Sequence, residues 1–182
     1  MKGEAADLRA HLRRGGLVAY PTESCYGLGC DPRNLRALKR LIQLKGRDAA
    51  KGLLLIADHI KRLQPFMKPP STADRTRMQR NWPGPVTWVV PAASACPPLL
   101  TGGRPTIAVR VTAHPVAARL CRSLGMALVS TSANKSGQKP AQTAAECRRM
   151  FGAQVRVIAG RIGQRRRPST LIDLATGTVL RP

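Results

Sequence analysis

The chain is short of acid. Its 182 residues hold 9 Asp and Glu against 31 Lys and Arg, a formal net charge of +22 and a pI near 11.6. There is no DxD cluster, so the chain lacks the usual carboxylate pair for a protein-built magnesium cage. Aromatics are 3% of residues, too few to supply a stacking platform for single-stranded nucleic acid. No apolar run is long enough to span a membrane, and the charged N-terminal segment MKGEAADLRAHLRR lacks a signal-peptide core. These features point to a cytoplasmic protein with no membrane partner. The five cysteines are odd in number and irregularly spaced. Cys25 and Cys30 form the one close pair, and His11, His59 and His114 are scattered, which argues against zinc and for reduced thiols.

Familiar catalytic motifs are missing too. Gly27 and Gly29 begin a GxG, but Pro32 stands at the third glycine of the dinucleotide fingerprint. GxxxxGK[ST] and GxSxG are absent, and no Ser-His-Asp order suggests itself.

What is present is positive charge and a regular alternation of elements. The charge attracts polyanions; with so few aromatics, an RNA contact would use phosphates and shape. An arginine-rich coding habit is the competing explanation, since the excess runs along the whole chain. Periodicity predicts an α/β domain with a mixed, twisted sheet and flanking helices. Helices are expected over 5–14, from an Asp31-Pro32 cap to about Leu44, over 58–64 and 71–81, from Pro115 to near Gly125, and over 143–151. Leu35, Leu38 and Ile42 should face inward. Strands are expected at 17–20, 53–57, 86–90, 106–111, 127–130 and 155–159, with a hairpin around Ala175-Thr176-Gly177.

Polar clusters sit beside the predicted strand ends, where α/β sheets gather ligand groups. They are YPTESCYGLG (20–29), LKGRDAAKG (44–52), WPGPVT (82–87) with TIAVR (106–110), and VSTSANKSG (129–137) followed by RRRPSTLID (165–173). Lys45, Arg47, Lys51 and Arg110 supply cations suited to phosphate. Thr22, Thr106 and the hydroxyls of 130–136 supply neutral donors and acceptors. Loops rich in Ser and Thr are also ordinary turns and caps, so spacing alone leaves both readings open.

YPTESCYGLG, KGR, WPGPVT, AVRV, STSANKSG and PSTLID occur in this order from about residue 15 to 182. Together they resemble the YrdC family, in its short form, which predicts one domain over 1–182 without a C-terminal extension. The resemblance implies a concave, positively charged groove and a threonylcarbamoyl-AMP synthase. The substrates would be L-threonine, bicarbonate or CO2, and ATP, with Mg2+ held by the triphosphate and no metal held by the protein alone. A partner complex would carry the group to N6 of adenosine 37 in tRNAs reading codons that begin with A. Carried over by motif, Lys45, Arg47, Thr106, Ser132, Asn134 and Arg181 would bind ATP. Thr22, Arg110, Ser130 and Ser169, with Thr170 nearby, would bind threonine. Asp48 stands where the family usually has proline, so a looser loop is expected after Arg47, with Lys51 or Mg2+ offsetting the added charge. No distinct catalytic residue is implied: a carbamate is itself a nucleophile, so positioning suffices. The competing reading is a non-catalytic module for double-stranded RNA or tRNA. A carbamoyltransferase of hydrogenase maturation would need further segments that these 182 residues cannot hold.

Overall fold

Leu17–Pro21 is buried at all five positions, the pattern of a strand covered on both faces. In the computed structural model, which describes residues 2–182, this strand is β1. The chain order is α1 (Lys2–Arg13), β1, β2 (Tyr26–Gly29), α2 (Leu35–Lys45), β3 (Leu54–Ala57), α3 (Thr72–Gln79), β4 (Val86–Pro91) and α4 (Pro98–Thr101). It continues with β5 (Thr106–Val111), α5 (Pro115–Leu124), β6 (Leu128–Ser132), α6 (Ala144–Phe151), β7 (Val155–Val157), β8 (Thr170–Asp173) and β9 (Val179–Arg181). The strands form one mixed sheet in the order β7-β1-β2-β6-β3-β5-β4-β8-β9. Strand β6 joins its halves: Leu128–Ser130 pair with β3, and Thr131 and Ser132 pair with β2.

The period-two alternation of strand side chains splits the core in two. Leu17, Ala19, Leu55, Val109 and Val129 face a core closed by α2, α3, α4 and α6. Val18, Tyr20, Ile56 and Leu128 face the other side, where Leu8 and Leu12 of α1 and Leu120 and Leu124 of α5 cover them. Each fully buried leucine, such as Leu12 or Leu38, contributes about 2 kcal/mol. The two helices on this second face are confined to one half of it. Close packing there demands small residues: a Cβ on Gly29 would stand 2.3 Å from the Val129 carbonyl and 2.9 Å from the Tyr20 ring.

Several expectations need correction. Helix α2 begins at Leu35, capped by Asn34, whose side chain accepts from the Ala37 amide at 3.0 Å. Asp31 is spent in a tight turn instead, accepting from the Arg33 amide at 2.9 Å. The inward face of α2 is Ala37, Leu38, Leu41 and Lys45, while Leu35 is 52% exposed. Residues 58–64 make no α-helix; 60–62 form a single tight turn beside a second at 64–66 because Pro65 interrupts the ladder. The polar cluster YPTESCYGLG holds an unexpected strand, since its second half is β2. β6 runs on through Thr131 and Ser132, although its polar end reads as a loop.

Candidate active site

The half of the sheet face that α1 and α5 leave open holds a cavity of about 860 Å3. Alternation builds its floor. Thr87 and Val89 of β4, Thr106, Ala108 and Arg110 of β5, and Ser130 and Ser132 of β6 face the cavity. Their neighbours Trp88, Ile107, Val109 and Val129 lie in the core beneath. Six cations line it, Arg47, Lys51, Arg104, Arg110, Arg166 and Arg181, against one carboxylate, Asp173. Their field favours an anionic ligand.

Arg110 is 5% exposed. Its Nη2 lies 3.1 Å from Glu23 Oε2, a charge contact without hydrogen-bond alignment. Glu23 Oε1 accepts from the Thr112 hydroxyl at 2.7 Å. The Nε of Arg110 is buried without a partner, and the residue lines the cavity.

The hydroxyls divide by direction. Thr22 donates to the Cys25 carbonyl at 2.7 Å, and Ser132 donates to Asn134 Oδ1 at 2.6 Å. With their protons committed, both face the cavity as acceptors. Ser169 is the opposite case: it accepts from the Thr87 hydroxyl at 2.9 Å and from Arg181 Nη2 at 3.3 Å. Its own proton remains available. Arg181 also holds the Ser169 carbonyl at 2.8 Å, pinning β9 to the cavity rim.

Lys45 and Asn134 are placed differently from the other eight candidates, Thr22, Arg47, Thr106, Arg110, Ser130, Ser132, Ser169 and Arg181, which line the cavity. Lys45 is 3% exposed and sits behind the 132–134 loop. Its ammonium donates to the Ser132 carbonyl, to the Asn134 carbonyl at 2.8 Å and to Asn134 Oδ1 at 3.1 Å. Asn134 Nδ2 in turn donates to the Gln138 carbonyl at 2.7 Å. In this conformation both residues shape the loop. Burial, with the Arg47 charge beside it, pulls Lys45 down to about 8. The three acceptor oxygens oppose that shift and keep the ammonium charged at neutral pH.

The turn after Arg47 is tied rather than loose. Asp48 caps it by accepting from the Ala50 amide at 2.9 Å. Arg47 Nη2 donates to the Gly52 carbonyl at 3.0 Å, and Arg104 donates to Ala50 and Lys51 at 2.8 and 3.1 Å. Two guanidiniums are thus aimed by one set of carbonyls at the cavity mouth. Arg104 and Glu23 are functional candidates that sequence reasoning missed. No local motif marks Arg104, and Glu23 is visible only as the last letter of PTE.

A strap over 160–169 closes one side. The Gly163 amide donates to the Thr22 carbonyl at 2.9 Å and the Arg165 amide to the Glu23 carbonyl at 3.0 Å. A Cβ on Gly163 would stand 2.7 Å from the Glu23 carbonyl oxygen. His114 Nε2 lies 3.1 Å from the Arg161 carbonyl, and its Nδ1 receives the Ala117 amide at 3.5 Å. Burial lowers its pKa, so the ring is neutral. Burial pushes Cys121 up to about 12 and Cys96 and Cys147 to about 11, and it also raises Cys25 at the cavity wall. None is a thiolate nucleophile near neutrality. Among the described residues, no group of His, Cys, Asp or Glu could hold a metal ion, and no helix is long and apolar enough to cross a membrane.

The family model Sua5_yciO_yrdC, described as telomere recombination, matches residues 10–182. The chain belongs to this Sua5/YciO/YrdC family. Within the family, a threonylcarbamoyl-AMP synthase of Thiobacillus denitrificans is 73% identical over 180 residues, 99% of this chain and 96% of that protein. The threonylcarbamoyl-AMP synthase of Methylobacillus flagellatus is 56% identical, covering 98% and 99% of the two chains. P. abyssi Sua5, solved in complex with L-threonine, superposes with a TM-score of 0.91 at 32% identity over the whole of this chain. This chain spans 54% of the P. abyssi protein. The twisted mixed sheet with flanking helices is the Sua5/YciO/YrdC fold.

Proposed function

We propose that the chain is a threonylcarbamoyl-AMP synthase, condensing L-threonine, bicarbonate or CO2, and ATP into threonylcarbamoyl-AMP and pyrophosphate. One observation carries the reading: a buried arginine, Arg110, lies among neutral hydroxyls in a cavity whose other cations include Arg47, Arg104 and Arg181. In this reading Arg110 takes a carboxylate and the remaining cations take phosphate. The names of the relatives at 73% and 56% identity support the same reaction.

Arg110 takes the threonine carboxylate, with Thr22 and Ser130 beside the amino group and Ser169 donating from above. Arg47, Thr106, Ser132 and Arg181 receive ATP, with Lys45 and Asn134 holding the loop that carries Ser132. The threonine amine adds to CO2, loses a proton to water, and becomes a carbamate. A carbamate oxygen bonds to the α-phosphorus as the bond to pyrophosphate breaks. Charge moves onto phosphate oxygens, so the cavity works by alignment and by fixed cations. No acid–base pair is required, in keeping with raised thiols and a neutral His114. Asp173 is the one carboxylate of the lining; the chain therefore does not fit a Mg2+ cage of its own, and Mg2+ is assigned to the triphosphate and water.

The product is passed, in this reading, to a partner complex that modifies adenosine 37 of tRNA in the cytoplasm. The 182 residues act as one domain, and the basic cavity mouth doubles as a groove for tRNA. A purely RNA-binding module accounts for the charge of +22 but not for the buried Arg110–Glu23 pair. The test is incubation with ATP, labelled bicarbonate and L-threonine. Threonylcarbamoyl-AMP and threonine-dependent pyrophosphate are expected; the absence of both overturns the reading.

A further inference from the structure

At the other ends of β2, β3 and β6 lies a second cleft, of about 380 Å3. β2 leads out to Asp31, β3 to the turn with Lys61 and Arg62, and β6 starts beside Ala127, all in its lining. The first cavity uses Gly27, Leu54 and Ser130 from the opposite ends of the same strands. Helix α1 adds Arg9 and Arg13, and the segment before α2 adds Arg33. Five cations and one carboxylate therefore line the cleft, and one of the five, Arg62, is paired with a second carboxylate, Asp58.

Local structure accounts for only part of this charge. Arg9 Nη2 donates to the Ser123 carbonyl at 2.9 Å, near the electronegative C-terminal pole of α5, yet its buried Nε has no partner. Arg62 is spent on Asp58 at 2.5 Å. Asp31 answers the Arg33 amide. The Arg33 guanidinium lies 5.8 Å over the Phe66 ring, which steadies it without neutralising it. The side chains of Arg13 and Lys61 have no acceptor among the described residues.

We propose that this cleft is a second anion site that binds a phosphate group. Guanidinium forks match phosphate oxygens in pairs, and a group with more than one negative charge answers several cations at once. The face of Phe66 is already covered by Arg33, so no ring is left for a base to stack on. The cleft reads phosphate, from a free diphosphate or from an RNA backbone. Nothing in this depends on the synthase reading.

The test is site-resolved NMR on the full isotope-labelled chain, titrated with inorganic pyrophosphate and, separately, with a short RNA duplex. Saturable shifts are expected at the amides of Arg33, Gly125 and Met126. Arg13→Glu with Arg33→Glu should weaken that response by roughly tenfold or more, leaving shifts at Thr131 and Ser132 unchanged. Arg13→Gln with Lys61→Gln, both at exposed positions, is the second variant if the first does not fold. A response to pyrophosphate identifies a free-ligand site; a response to RNA alone identifies a backbone clamp. No saturable shift at these amides with either probe, or equal responses in the parent and variants, overturns the proposal. Threonylcarbamoyl-AMP synthesis is measured in parallel and should be unaffected, so this proposal and the synthase reading fail separately.

Discussion

Arg110 and Glu23 stand 3.1 Å apart, with side chains 6% and 14% exposed, and the second carboxylate oxygen of Glu23 is held by Thr112. The guanidinium that faces the cavity is therefore set in place from behind. A substrate carboxylate would share Arg110 with Glu23 instead of meeting a bare, mobile cation.

Breaking the pair from one side leaves the other charge buried. Glu23→Ala should destabilise the fold by about 3–5 kcal/mol, read as a lower denaturant midpoint at unchanged m-value. Glu23→Gln with Arg110→Met should recover much of that loss. A double variant as unstable as Glu23→Ala would count against the ion pair as the cause.

Arg110→Ala should raise the KM for threonine roughly 10- to 100-fold, from a lost charged hydrogen bond, with a much smaller change for ATP. Steady-state kinetics with each substrate varied in turn decides it. Equal effects on both would remove Arg110 from the carboxylate role.

Lys45→Met deletes the ammonium that gathers the Ser132 and Asn134 carbonyls. Leaving those acceptors unpaired costs about 1.5–3 kcal/mol, and kcat/KM should fall. Proteolysis within 132–139 should speed up in parallel. A fall in activity with the loop equally protected would mean that Lys45 acts on ligand directly.

Two buried bases predict stability against pH. Lys45 sits at about 8 against an ordinary 10.5, so the unfolded chain holds more protons between these values. The penalty is present in full below pH 8 and relieved as pH rises toward 10.5. Lys45→Met should flatten that rise in the denaturant midpoint. His114 is also lowered, so its contribution is full above 6.5 and is lost as pH falls below that value. His114→Gln should remove this acid-side loss, and an unchanged slope would acquit the histidine.

Gly163→Ala forces a methyl group against the Glu23 backbone. The strap should lift and take Ser169 with it, lowering kcat/KM, and the loss of the Gly163–Thr22 and Arg165–Glu23 backbone hydrogen bonds should lower the melting temperature as well. Wild-type kinetics in this variant would show that strap contact is dispensable.

Much of this was legible in the sequence. TIAVRV shows its alternation plainly, and the structure sends Ile107 and Val109 inward and Thr106 and Arg110 to the cavity. Seven of the eight cavity candidates lie in the polar clusters beside strand ends, while Arg181 comes only from the family resemblance. Position in the loop was not legible. Lys45 and Arg47 are two residues apart on paper, yet α2 ends between them at Gly46, whose φ is 57°, and the chain turns them to different tasks. Glu23 and Arg104 act through contacts 87 and about 50 residues away along the chain, a distance that local spacing does not report. The start of α2 was misplaced because Asp31 and Asn34 are both good caps, and only the finished turn shows which one is free.

The alternation of β5 also limits how this protein can diverge. One face of the strand lines the cavity and the other is hydrophobic core, so a single inserted or deleted residue would exchange them along the rest of the strand. Arg110 would enter the core as Val109 or Val111 entered the cavity, and folding and activity would be lost together. Lineages can retune this cavity by substitution, residue by residue, but length changes must be confined to the connecting loops.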